Sequence, residues 1–142
     1  DLDEIYNLVP KGENYLQEAL EKQAILDDSN LIWHFIGQIQ SNKCSMIAGH
    51  FSWVHSVSNI KVVRGLGRAR ISSASALNVC IQVNLCQDAK KSGVAPEELS
   101  DIIAAVNSEP MLDLRGLMLI PPQGLSQVQL SLVANLICLN VS

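Results

Sequence analysis

Three histidines, four cysteines and a scatter of side-chain amides set the chemistry open to this 142-residue chain. His34 stands in Trp33-His34-Phe35-Ile36-Gly37-Gln38-Ile39-Gln40-Ser41-Asn42-Lys43, where a short aromatic and β-branched run closes at a glycine, passes a polar turn and opens into a helical pattern. That is a strand delivering polar groups to its carboxyl end, where parallel α/β folds place their ligands. Alternation sends Trp33 and Phe35 to one face and His34 with Ile36 to the other. A lone strand histidine is more often a hydrogen-bonded structural residue than a ligand or base. Metal binding by His34, His50 and His55 is disfavoured, because none is paired at the i, i+4 spacing of helical zinc sites.

The remaining chemistry-bearing residues narrow the choice. Cys44, Cys80, Cys86 and Cys138 form neither a C-x-x-C pair nor a zinc-ligand set with histidine, and are expected to be reduced, buried thiols. Gly65-Leu66-Gly67-Arg68 lacks the third glycine of a dinucleotide loop and follows no clear strand; no Ser-His-Asp order, G-x-S-x-G elbow or P-loop is present. Asn14, in Gly12-Glu13-Asn14-Tyr15, fits a strand end with its amide turned into a pocket, or a plain turn and helix cap. Ser41-Asn42-Lys43 reads as a helix-opening turn whose amides suit an anion, though capping explains it equally well. Lys90-Lys91-Ser92-Gly93 follows the strand end at Gln82-Val83-Asn84, with the lysines read first as solvent charges.

The elements that must position these groups alternate. Strand patterns at residues 31–36, 53–57, 77–85 and 114–120 are separated by helical ones, which implies βαβ units and a parallel sheet. Pro96 opens one helix; Glu97 and Glu98 favour its positive start, and Leu99, Ile102, Ile103 and Val106 form a single apolar stripe. Tyr15, Leu16, Ala19, Leu20 and Ala24 form another stripe, and Met46, Ile47 and Phe51 mark a short third helix. Ser58 is expected to cap the helix that begins near Ile60. From Gly116 onward there is no charged residue, and Pro121-Pro122-Gln123-Gly124 breaks the chain before an Asn- and Ser-dotted apolar tail.

At 48% hydrophobic residues the chain can bury one sizeable, mostly aliphatic core in a single domain. A formal charge of -4 argues against a general nucleic-acid binder. Eight of the fourteen acids lie in residues 1–28, whereas Lys61, Arg64, Arg68 and Arg70 form a basic run expected to be a solvated helix face. The apolar stretch 130–141 is short of the about 20 residues that a membrane span needs, and no basic-then-apolar leader is visible, so a cytoplasmic protein is expected.

Five segments in order, GENYLQE from Gly12, WHFIGQIQSNK from Trp33, LNVCIQVN from Leu77, KSG from Lys91 and RGLM from Arg115, resemble the pyridoxal phosphate homeostasis protein family. The resemblance spans about residues 12–122 and leaves 123–142 as a divergent tail. It implies an α/β fold, namely part of a TIM-type barrel of the alanine racemase N-terminal kind. The whole chain, 1–142, would be one incomplete barrel domain lacking the first and last strands. It implies pyridoxal 5'-phosphate (PLP) as cofactor and ligand, no catalysis, a role in buffering or delivering PLP, and PLP-dependent apoenzymes as partners. Asn14, His34 and Met118 are the residues it transfers to the cofactor ring or its wall. The family's Schiff-base lysine ends the first barrel strand, ahead of an apolar helix into which Asp1 to Tyr6 would fall; no residue here matches it. The family's phosphate-binding serine and arginine-glycine segments follow later strands and are likewise unmatched. Two alternatives stay open: a fragment of a fold-related PLP racemase or decarboxylase, and an inactive truncated product.

Overall fold

Each β-branched or aromatic run becomes a strand, and each apolar stripe at helical spacing becomes the helix that carries the chain back along the sheet. A computed structural model describes residues 4–7, 14–26, 30–70, 75–85, 92–119 and 126–128. In order these form β1 (Glu4–Asn7), α1 (Asn14–Leu26), β2 (Ile32–Phe35), α2 (Cys44–His50), β3 (Trp53–Val57), α3 (Ile60–Arg70), β4 (Leu77–Val83), α4 (Leu99–Asn107) and β5 (Leu112–Leu119). Single 3-10 turns at Ser41–Lys43 and Pro96–Glu98 lead into α2 and α4. The strands pair in parallel in strict chain order, β1-β2-β3-β4-β5. Sequential order with right-handed crossovers puts the helices on one face of the sheet, as in the wall of a (β/α) barrel, and leaves the other face open.

The helix-side face is aliphatic. Leu77, Val79, Ile81 and Val83 alternate out of β4 into a core shared with Val54 and Val57 of β3 and with Ile47, Val63, Leu66, Leu99 and Val106 of the helices. Burial of each such side chain contributes about 1.5–3 kcal/mol, so this layer supplies most of the cohesion. Phe35 of β2 meets Phe51 edge to face, with ring centroids 5.1 Å apart. Helix packing explains the Gly65-Leu66-Gly67 segment, which lies inside α3. A Cβ on Gly65 would stand 3.0 Å from the Cys44 sulfur of α2, and one on Gly67 would run into the Glu109 carboxylate. These glycines let α2 and the α4–β5 connection approach α3; they make no nucleotide loop.

Four expectations need correction. Residues 4–7 form a strand in register with β2 from Glu4 opposite Ile32 to Asn7 opposite Phe35, so this segment is not part of a helix. The cap of α3 is Asn59, whose side-chain oxygen accepts the Val62 amide at 2.9 Å, one residue later than Ser58. Asn14 is the first residue of α1, not a strand end. Arg70 leaves the solvated basic face: it is buried, and its Nη1 donates to the carbonyls of Ala48 at 2.5 Å and Phe51 at 2.9 Å, while Nε donates to Ser75 O at 2.9 Å. Burial draws its pKa downward. Lys61, Arg64 and Arg68 are exposed as expected.

Cys44 and Cys80 are buried free thiols, and burial raises both pKa values. Cys86, Cys138, Lys90, Lys91 and most of the uncharged tail lie outside the described residues. Among the described residues no helix is long and apolar enough to cross a membrane.

Candidate functional site

The open face of the sheet carries the polar and aromatic residues. Parallel register sets His34 of β2 beside Trp53 of β3, Trp53 beside Asn78 of β4, and Gln82 of β4 beside Met118 of β5. Register partners point to the same side, so His34, Trp53, Asn78, Gln82 and Met118 share this face, with His55 two residues beyond Trp53. The split that alternation predicts for Trp33-His34-Phe35 is therefore observed.

Two irregularities aim the side chains. Between Val54 and Val57 of β3 the register with β4 shifts, placing His55 and Ser56 opposite one stretch of β4. The extra residue lets His55 stay on the open face while Val57 returns to the core. Ser56 is buried and donates its hydroxyl to Gly37 O at the end of β2. Between Leu114 and Gly116 of β5 the register with β4 shifts again, making Arg115 the extra residue.

At the centre lies a pair of imidazoles. His34 Nδ1 and His55 Nε2 are 2.9 Å apart, one donating and the other accepting. Both rings stack with the Trp53 indole, at centroid distances of 5.4 Å and 5.8 Å, and the three ring planes lie within 13°, 21° and 15° of one another. Burial lowers the pKa of His55, and proximity to His34 lowers it further, so the unprotonated imidazole is favoured. Arg115 closes the lower end. Its Nε donates to Asn78 Oδ1 at 2.7 Å, its guanidinium carbon lies 5.9 Å from the Trp53 ring centroid, and Nη2 is 3.8 Å from Asp113. Asn78 in turn donates to Ser52 O at 3.1 Å.

A second cluster sits at the carboxyl ends of the strands. Gln38 donates its amide to Ser92 Oγ, and Gln82 donates to Ser92 O at 3.2 Å. Val94 N donates to Gln82 O at 2.8 Å and Asn84 N to Val94 O at 2.9 Å, laying residues 92–94 alongside β4. Gly93 makes the bend with φ of 129°, and a Cβ there would stand 2.7 Å from the Asn84 nitrogen.

Of the residues chosen from sequence, His34 is thus central, and Met118 lies half-buried on the same face three strands away, beside Gln82. Asn14 opens α1, and its side chain lies outside what is described. Sequence reasoning missed Trp53, His55, Arg115 and Gln82 as parts of one face. The Trp-Val-His alternation held a signal for the first two; nothing local marked Arg115 as a bulge. The described lysines Lys22, Lys43 and Lys61 sit on α1, the 3-10 turn and α3, none of them on a strand of the open face. Among the described residues no group of three or more His, Cys, Asp or Glu is placed to hold a metal.

The arrangement fits one part of a planar cofactor's needs. Three near-parallel rings make a flat wall, and the amides at the carboxyl end offer donors. The described residues supply no covalent lysine and no phosphate cradle.

Comparison with known proteins places this geometry. Residues 10–129 match the family model of the alanine racemase N-terminal domain. The chain is 57% identical over 110 residues to the pyridoxal phosphate homeostasis protein of Pseudomonas aeruginosa, covering 78% of this chain and 48% of that one. It is 42% identical over 113 residues to the protein of the same name in Escherichia coli, again 78% of this chain and 48% of the relative. The chain therefore spans about half the length of these relatives. The structure of PipY from Synechococcus elongatus with PLP bound aligns at a TM-score of 0.76 with 31% identity, over 89% of this chain and 58% of that one. An alanine racemase of Clostridium difficile aligns at 0.65 with 12% identity, over 87% of this chain and 33% of that one, a likeness of fold alone.

Proposed function

Because this chain belongs to the alanine racemase N-terminal domain family, we propose that it forms one part of a PLP-binding barrel and lines the ring side of the cofactor site. The observation that carries the reading is the flat wall of His34, Trp53 and His55 on the open face of a barrel-type sheet. PLP when bound offers an aldehyde and an electron-withdrawing pyridine ring. This chain's own residues would bind and orient that ring. The His34–His55 pair presents a polar edge, Met118 and Gln82 border the carboxyl-end side, and Asn14 is assigned from the family motif. Residues 1–142 are read as one incomplete barrel domain.

The role is carriage of PLP in the cytoplasm without turnover, with transfer to PLP-dependent apoenzymes. Support comes from the homeostasis designation of the relatives. The racemase reading rests on fold likeness at 12% identity, which carries no activity.

Titration of PLP into the purified chain, followed by tryptophan fluorescence and equilibrium dialysis in an amine-free buffer, tests the binding. Saturable quenching through Trp53 is expected, weakened about 10-fold by His34→Ala, a loss of about 1.4 kcal/mol. Absence of saturation, or indifference to His34→Ala, overturns the assignment. Racemisation of alanine should remain at the rate of free PLP; turnover above it that His34→Ala abolishes would establish an enzyme instead.

A further inference from the structure

The imidazole pair poses a physical problem of its own. The terminal torsion of a histidine is broad and roughly two-fold, so a single imidazole–imidazole hydrogen bond does not by itself hold both rings in one orientation and one tautomer. Yet the planes of His34, His55 and Trp53 are nearly parallel, and Trp53 touches both imidazoles at 5.4 Å and 5.8 Å. Whatever holds the indole in place therefore helps to hold the pair. The indole is also met by Arg115, which reaches from β5 across β4 to β3.

Arg115 can do this because it is the extra residue of a bulge. Val79 pairs with Leu114 and Cys80 with Gly116, so Arg115 has no partner of its own across the ladder and its side chain is free to cross the neighbouring strand. Asn78 accepts from its Nε at 2.7 Å and is itself fixed to Ser52 O, which sets the height of the guanidinium over the ring. Asp113, at 3.8 Å, takes a second nitrogen. A delocalised cation over an indole is attracted by the negative ring face.

We propose that Arg115 is a positioning residue for the candidate PLP site: clamped by Asn78 over the Trp53 ring, it holds the indole against His34 and His55 and so locks the two imidazoles into one hydrogen-bonded tautomeric arrangement. The inference rests on the proposed function for its purpose, and on the apo geometry alone for its substance. It concerns residues on β2, β3, β4 and β5. Among the described residues, the charged groups of this cluster are Arg115 over the Trp53 ring and its ion-pair partner Asp113, both from β5; Asn78 and Trp53, from β4 and β3, are neutral.

The test is long-range proton–nitrogen correlation NMR of the imidazoles in the 142-residue chain, without PLP. His50 provides an internal reference, since its Nδ1 lies 2.8 Å from Met46 O on α2, remote from the open face. In the natural chain His34 and His55 should each show a single tautomer. Arg115→Gln should convert both to the mixture typical of unrestrained histidine while His50 stays unchanged, and Arg115→Lys, which keeps a cation over the ring, should retain the lock. Asn78→Ala, which frees the guanidinium without removing it, should weaken the lock in the same direction and guards against a folding defect confined to Arg115→Gln. Fixed tautomers in both Arg115→Gln and Asn78→Ala overturn the proposal. PLP titration of the same samples separates the two readings. An unlocked pair in a chain that never binds PLP would keep the positioning role and remove the cofactor assignment. An unaltered pair in a chain that binds PLP would do the reverse.

Discussion

The two faces of this sheet are built from the same strands on different rules. Toward the helices, β4 presents Leu77, Val79, Ile81 and Val83, buried and drawn from three interchangeable aliphatic types. Toward the open side the same strand presents Asn78, Cys80 and Gln82, and two of these have a specific partner: Arg115 for Asn78 and the Ser92 carbonyl for Gln82. On the first face, volume and hydrophobicity matter. On the second, each residue type is set by what it must donate or accept. A sheet with one face specified by packing and the other by hydrogen bonds separates stability from recognition, so each can be perturbed alone.

The largest test of that separation is Leu77→Ala. Leu77 is fully buried, and truncation should cost about 2–5 kcal/mol, read as a lower urea midpoint. Met118→Ala on the half-buried open face should cost clearly less, and an equal loss would show that the open face is also load-carrying core. Arg70→Met comes next. It strands the Ala48 and Phe51 carbonyls, each a buried acceptor whose loss of partner costs about 1–3 kcal/mol. Arg68→Met, two residues away and exposed, should leave the midpoint unchanged.

Gly93→Ala probes the open face through its border. The backbone at φ 129° and the 2.7 Å approach to Asn84 should make the substitution cost about 1–3 kcal/mol locally. Faster hydrogen exchange at Val94 and Asn84 should report release of the loop, with the helix-side amides unaffected.

The smallest expected effect is in pH dependence. Burial, and then His34, hold the pKa of His55 below its ordinary value of 6.5. As pH falls, the unfolded chain takes up this proton first, so between 6.5 and the depressed folded value it binds more protons and stability declines. Above 6.5 the contribution is fully present. The urea midpoint should therefore fall from pH 7.5 to pH 5.5 by more in the natural chain than in His55→Asn; equal slopes would show that His55 titrates freely.

Local patterns made the helix-side architecture legible. The strand at residues 53–57 and the helix after Pro96 lie where alternation and stripe spacing put them, because both signals are local and repeated. The four residues Glu4–Asn7 are too few to carry such a period, and only pairing with β2, nearly thirty residues away, makes them a strand. Arg70 shares the basic run in sequence but not its face. Lys61, Arg64 and Arg68 follow i, i+3, i+7, but Arg70 is two residues further, about 200° around the helix, and faces the core. His34 enters the candidate site from a family motif in the sequence, whereas its pairing with His55 depends on strand register and a bulge. Neither leaves a mark in composition or spacing.

Strict chain order has a consequence for motion. Because every strand pairs only with those next to it in sequence, β3 holds the middle of a linear array, and among the described residues β1 and β5 are its ends. Opening can then proceed inward from either end, one βα unit at a time, without first breaking the units beyond. Amide protection should be highest along β4 and β5, which share seven paired positions, and lower toward β2, which shares two with β3, so that the imidazole wall on β2 and β3 straddles the shortest ladder of the sheet.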